Sequence, residues 1–151
     1  MRRAGFTLVE LLVVLAVLAV VMAMAVPVFT AGRPRAELDG AALQLAASLR
    51  QARGQAIASN RSQAFTIDLE RRLYWAGEGA TLRQLPPDID VSLVTATAEL
   101  IDGTTGSIRF FADGGSTGGG VRVSRSGAGW DVLVDWLTGR VGVRQWAGQA
   151  N

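Results

Sequence analysis

Between Leu11 and Phe29 the chain runs for nineteen residues without a charge. As a helix, a run of that length reaches across roughly 30 Å of hydrocarbon. It is too long and too uniformly apolar to be a surface element of a small domain. The remaining ~120 residues must therefore build a domain of their own. The puzzle lies at the front of the run, where Glu10 sits between Val9 and Leu11. An acid inside a membrane helix costs about 2.5–3.5 kcal/mol on insertion scales and is usually paired and functional. A secretory signal peptide does not account for it. Arg2-Arg3 followed by an apolar core fits that reading, but such cores span only about 7–15 residues. The nearest small-x-small cleavage site, Ala23-Met-Ala25, is poor. A plain single-pass anchor accounts for the hydropathy and leaves Glu10 unexplained.

Composition narrows the chemistry. The chain has no cysteine and no histidine, and all 15 basic residues are arginine. Ser-His-Asp catalysis, imidazole metal ligands, lysine Schiff bases and the P-loop lysine are thereby removed, so few common enzyme mechanisms remain. The absence of cysteine is compatible with an extracytoplasmic site, where disulfides are permitted but not required. The net charge of +2 resides in Arg2 and Arg3, and beyond them arginines and carboxylates balance. Nothing in that balance marks a nucleic-acid binder.

Downstream of Gly32-Arg33-Pro34, Leu38, Ala42, Leu45, Leu49, Ala52 and Ala56 recur at spacings of four and three. That stripe predicts an amphipathic helix fading near Ser59-Asn60, its alanines suited to close packing on a sheet. Beyond Asn60 the period becomes two. Segments 64–68 and 72–76 form a hairpin pattern around 69–71, and 89–94, 107–111, 121–124, 130–134 and 140–144 alternate between turn-rich stretches. A helix followed by six or seven short antiparallel strands gives an α+β domain. Pro27 either kinks the apolar helix or marks its exit from lipid.

The stretch Ala112-Asp-Gly-Gly-Ser-Thr-Gly-Gly-Gly120 contains a literal G-x-S-x-G around Ser116. A nucleophile elbow needs a strand before it and a helix after it. Here a strand pattern follows, and there is no histidine to act as base. A phosphate loop fails for want of Gly-Lys-Ser/Thr. Asp113 with neighbouring hydroxyls makes a poor calcium ligand set. The stretch reads as a glycine-rich connection between strands.

Gly5-Phe6-Thr7-Leu8-Val9-Glu10, preceded by a short basic leader and followed by an apolar helix, resembles the processing motif of type IV pilins and pseudopilins. Pro27 lies where many pilins also carry a proline. The resemblance implies cleavage after Gly5 by a prepilin peptidase and N-methylation of Phe6. The ammonium freed at Phe6 then has a partner in Glu10, most simply that of a neighbouring subunit, and the pair sets the stagger between subunits. Farther on, Phe110-Phe-Ala-Asp-Gly-Gly-Ser-Thr-Gly-Gly-Val121 and Trp130-x-Val-x-Val-Asp-Trp-Leu-Thr-Gly-Arg-Val141 resemble the C-terminal half of the H-type minor pseudopilins of type II secretion, the GspH/FimT family. Ala112 and Gly115 replace a proline and a serine usual there, and residues 77–106 carry no recognisable signature.

The resemblance implies a pilin-like chain with a leader at 1–5, a transmembrane and filament-core helix at 6–29, an amphipathic continuation at 30–60 and a periplasmic β-rich domain at 61–151. Its expected partners are the prepilin peptidase, other minor and major pseudopilins, and the inner membrane. No nucleic acid, small-molecule substrate, cofactor or metal is expected. The positive-inside rule is nearly tied, with Arg2 and Arg3 against Arg33 and Arg35. The resemblance, not the charges, puts the N-terminus in the cytoplasm. It also makes Ser116, Thr117, Gly118 and Gly119 a candidate partner-contact loop. Two alternatives remain at this stage: a minor pilin of the FimT/FimU kind, in some cases linked to DNA uptake, and a membrane-tethered enzyme. The uncharged tail Ala147-Gly-Gln-Ala-Asn151 disfavours DNA binding, and the Asp-Trp-Leu-Thr-Gly-Arg-Val141 run and the Gly-Gly-Ser-Thr-Gly-Gly loop favour secretion over the first. The missing catalytic residue types disfavour the second. Of Trp130, Trp136 and Trp146, core packing accounts for one or two; any left exposed is a partner contact.

Overall fold

The computed structural model describes the backbone of residues 7–31, 33–93, 99–100 and 104–147, and their side chains except at 23–31, 33–34, 99–100 and 147. The chain divides into two compact units, Met1–Ala36 and Glu37–Asn151. In the first, helix α1 spans Leu8–Ala31. Thr7 caps it: its Oγ1 accepts a hydrogen bond from the Glu10 amide at 3.3 Å, and its carbonyl accepts from the amides of Glu10 and Leu11. From Leu8 to Met22 the leucines and valines on every side of the helix are exposed. A helix apolar all round is stable only when something else covers it. Among the described residues, no helix is long and apolar enough to cross a membrane.

Helix α2 spans Arg33–Ser59. It stops where the sequence pattern stops, and Asn60 follows with φ of 51°, a left-handed C-terminal cap. Within the second unit all six residues of the predicted stripe are buried, joined by Ala41 and Ala46. The alanines let the helix backbone approach the strands closely.

Among the described residues nine strands follow: β1 (Gln63–Asp68), β2 (Leu73–Ala76), β3 (Arg83–Gln84), β4 (Asp90–Leu93), β5 (Glu99–Leu100), β6 (Thr105–Phe110), β7 (Gly119–Arg125), β8 (Ala128–Val134) and β9 (Val141–Ala147). They form two antiparallel sheets, ordered β3-β2-β1-β6-β5 and β4-β7-β8-β9. One apolar cluster joins α2 to both sheets, drawing Phe65, Ile67, Tyr74, Ile108 and Phe110 from the first and Val121, Val123, Val132 and Val134 from the second. The α+β, pilin-like class expected from the sequence is the class observed. The strand count exceeds expectation by the two-residue strands β3 and β5, too short to display any period.

Candidate functional site

At the N-terminus, Thr7 and Glu10 occupy the cap and third helical positions, the spacing of a capping box. The bonds at this cap use the Glu10 backbone amide, while its carboxylate, an acid in the first turn, complements the helix dipole. The Thr-x-x-Glu signature is readable in the sequence. The cleavage and methylation positions, Gly5 and Phe6, lie outside the described residues.

The glycine-rich stretch is built into the domain as a clasp. Gly114 donates its amide to the Phe111 carbonyl, and Phe111 donates to that of Gly115. The Asp113 carboxylate accepts from the Gly115 amide at 2.9 Å. Ser116 is buried; its hydroxyl donates to the Asp135 carbonyl at 3.0 Å and accepts from the Gly118 amide at 3.1 Å. Its amide donates to the Trp136 carbonyl. Thr117 Oγ1 accepts from the Arg109 amide at 3.1 Å. From below, Arg53 of α2 donates to the Gly114 carbonyl at 3.0 Å. The G-x-S-x-G stretch therefore leads into strand β7, and its serine is held between two backbone partners. Of the four residues of the candidate contact loop, Ser116 and Gly118 are buried and Thr117 and Gly119 half-buried.

Facing the clasp, the turn between β8 and β9 is closed around Asp135. Its Oδ1 accepts from both the amide and the hydroxyl of Thr138 at 2.8 Å. Its carbonyl accepts from the Gly139 amide, and its own amide donates to the Arg140 carbonyl. These donors, the Thr138 hydroxyl first and then its amide, hold the Asp135 carboxyl below the usual range. Gly139 has φ of 61°, and a Cβ there would meet the Gly114 carbonyl and the Arg53 guanidinium. At the tip of this tightly bonded turn, Trp136 and Leu137 are 67% and 66% exposed.

The other tryptophans are engaged. Trp130 packs against the core and donates its indole N–H to Asp39 of α2 at 2.7 Å. Trp146 lies under the Arg122 guanidinium, 4.4 Å from its ring centroid. Strand register puts Arg122, Asp131 and Arg144 directly opposite one another across β7, β8 and β9. Arg122 grips the buried Asp131 carboxylate through Nε and a terminal nitrogen at 2.6 and 3.1 Å, and Arg144 approaches to 3.6 Å. The hydrogen bonds from Arg122 hold the Asp131 carboxyl below its usual range, outweighing burial, with Arg144 assisting. The ladder lies on three consecutive strands, and it depends on the register between them, which the period-two pattern alone does not reveal.

A groove of ≈ 490 Å³ on the first sheet is lined by Arg61, Gln63, Thr66, Trp75, Glu78 and Arg109, among others. Among the described residues, no cluster of three or more carboxylates is placed to hold a metal ion.

An apolar helix opening on a Thr-x-x-Glu cap, followed by an amphipathic helix packed on two antiparallel sheets, defines a pilin-like protein. The sequence profile of the Type II transport protein GspH family matches residues 41–139, and that of the prokaryotic N-terminal methylation motif matches residues 1–26. The chain belongs to the GspH family. It is 37% identical over 137 residues, 91% of its own length and 80% of the relative's, to the type II secretion system protein H of Xanthomonas campestris pv. campestris. Its fold matches the type IV minor pilin FimU of Pseudomonas aeruginosa (TM-score 0.55, 19% identity, 77% of this chain and 96% of that one). It likewise matches the minor pseudopilin EpsH of the Type 2 Secretion System of Vibrio cholerae (TM-score 0.53, 15% identity, 74% and 97%). At those identities the two structures speak for the fold alone.

Proposed function

We propose that the protein is a minor pseudopilin of a type II secretion pseudopilus, a structural subunit at or near the filament tip that helps export folded proteins across the outer membrane. The observation that carries this reading is the GspH match over 41–139 together with the 37% identical secretion relative. In this reading a prepilin peptidase removes residues 1–5 and Phe6 becomes the methylated N-terminus. Residues 6–29 anchor the chain in the inner membrane and later pack in the filament core, residues 30–60 continue the helix, and the β-rich domain at 61–151 lies in the periplasm. Its companions are other minor and major pseudopilins. It performs no catalysis. FimU-like minor pilins share the fold, so the fold does not choose between secretion and a type IV pilus; the family match and the 37% relative favour secretion.

The exposed apolar surface of α1 supports burial in lipid or among neighbouring helices. Glu10 provides the test. As a capping residue alone, it tolerates Glu10→Gln, because an amide serves a capping box equally well. As the partner of a Phe6 ammonium, it does not. Glu10→Gln and Glu10→Ala are both expected to be cleaved and membrane-bound yet depleted from sheared pseudopili. Normal incorporation of Glu10→Gln overturns the charge-pair role. Mass spectrometry of the native protein showing residues 1–5 still attached overturns the processing on which it depends.

A further inference from the structure

We propose that a groove around the loop at 77–82, beside the first sheet, binds a short neutral oligosaccharide. The proposal does not depend on the reading of the chain as a pseudopilin. Two hollows make up the groove. The larger, ≈ 490 Å³, lies on the first sheet, and the smaller, ≈ 290 Å³, lies between the loop and α2. Trp75, Glu78, Gly79 and Ala80 line both. An open saddle lined by Gln55, Gln63 and Glu78 adjoins them. Gly77 permits this closeness. Its φ is 88°, and the Gln55 and Gln63 amide oxygens lie 2.9 and 3.0 Å from where a Cβ would stand.

The lining selects the ligand. Tyr74 and Ala76 are buried in the core, so strand alternation puts Trp75 between them on the opposite face, half-buried and lining the larger hollow. A flat apolar ring in a polar groove suits the C–H face of a pyranose. Around it stand groups that both donate and accept, the amides of Gln51, Gln55 and Gln63 and the hydroxyls of Thr66 and Thr81. That duality matches ligand hydroxyls, each of which also does both. An anion needs donors alone, and Glu78, which lines both hollows and the saddle, opposes one. An apolar ligand would leave all these groups unpaired. Ser48 adds a second, independent sign. It lines the smaller hollow at 3% exposure, and its hydroxyl has no hydrogen-bond partner among the described residues. Buried hydroxyls are nearly always paired. A ligand hydroxyl entering beside α2 supplies the missing partner. Two adjoining hollows of these volumes take more than one sugar ring.

The full-length protein, purified in a zwitterionic detergent free of sugar headgroups, is titrated with β-1,4-linked tetramers of glucose and of N-acetylglucosamine and with the α-1,4-linked tetramer of glucose. Heat and tryptophan fluorescence are followed together, and at least one tetramer is expected to bind. Preference for the acetamido chain identifies the source as a wall glycan, and preference for a plain glucan identifies an unacetylated polysaccharide; either supports the groove. Trp75→Ala should weaken binding about tenfold or more, and Trp75→Phe should restore most of it. Ser48→Ala should weaken binding about tenfold while the thermal midpoint of the free protein stays or rises, because an unpartnered buried hydroxyl gives the empty protein nothing to lose. Three results overturn the proposal: no response to any tetramer, an affinity indifferent to both Trp75→Ala and Ser48→Ala, or tighter binding of oligothymidylate or inorganic phosphate that Glu78→Ala strengthens further. The pseudopilin reading stands whichever result is obtained.

Discussion

Asp131 carries its charge where the strands around it leave almost no room for water, and two arginines from flanking strands make that tolerable. Because its carboxyl is held below the usual range, the sign of its linkage to folding is set. The unfolded chain binds the proton more readily, so the contribution is present above the ordinary carboxylate pKa and is lost as the pH falls through the lowered value of the folded protein. Asp131→Asn keeps the shape and leaves Arg122 against a neutral amide. Because Arg122 is 30% exposed and Arg144 72% exposed, water relieves part of the deficit. A loss of about 2 kcal/mol is expected near neutrality, below the 3–5 kcal/mol of a fully buried pair. Urea titrations at pH 7 and at pH 3 should show the variant and parent converging in acid; a constant gap between them would remove the charge from the explanation. Gly139 is the second decisive residue. Gly139→Ala places a methyl group at positive φ against the Gly114 carbonyl, so a loss of about 2–3 kcal/mol is expected. Thermal denaturation checks it, and an unchanged midpoint would mean that the turn and clasp are not locked together.

At the scale of elements, legibility followed range. The six α2 positions read from the sequence are all buried, because a helix announces its inner face within one turn. Seven strands show in the sequence as period-two runs, whereas Arg83–Gln84 and Glu99–Leu100 have no room for one. Pairing order stayed hidden: β1 pairs with β6 across more than thirty residues, and nothing local selects that partner. The Arg122–Asp131–Arg144 ladder lies on consecutive strands, and there it was register rather than order that stayed hidden. Ser116 illustrates a subtler case. Its neighbours mark a loop correctly, but burial beneath the β8–β9 turn depends on residues twenty positions away. The Asp135-x-x-Thr138 turn, by contrast, is a local device, an Asx side chain bonding a nearby amide, and its spacing is carried in the sequence even though it was not singled out there. The α2 interface yields its own prediction. Leu49 is fully buried at the centre of the stripe, and Leu49→Ala removes it from a cluster shared by both sheets. A loss of 2–5 kcal/mol, roughly the range for such cavities, is expected in chemical denaturation. A loss below ~1 kcal/mol would show that the helix repacks without that side chain.

At the scale of the molecule, the two units obey different solvents. The side chains described for α1 are apolar on all sides and make no core of their own, so that unit is complete only in lipid or among other helices. The unit from Glu37 onward has one apolar cluster, tied to its helix at both ends by Asp39 with Trp130 and by Arg53 with Gly114. Such a unit has what independent folding requires, and its cooperativity should be single because α2 is the shared wall of both sheets. A chain beginning at Glu37 is therefore expected to be soluble and monomeric, the exposed Trp136–Leu137 tip being too small to hold a dimer. It should unfold in one calorimetric transition with an enthalpy of about 80 kcal/mol, equal to the van't Hoff value. Two transitions would mean that each sheet has a core of its own and that α2 divides rather than joins them. A single transition in the truncated chain, also lowered by Leu49→Ala, would locate the cooperative unit in the helix and both sheets together. The anchor would then be a separate element, answerable to its surroundings rather than to the fold of the domain.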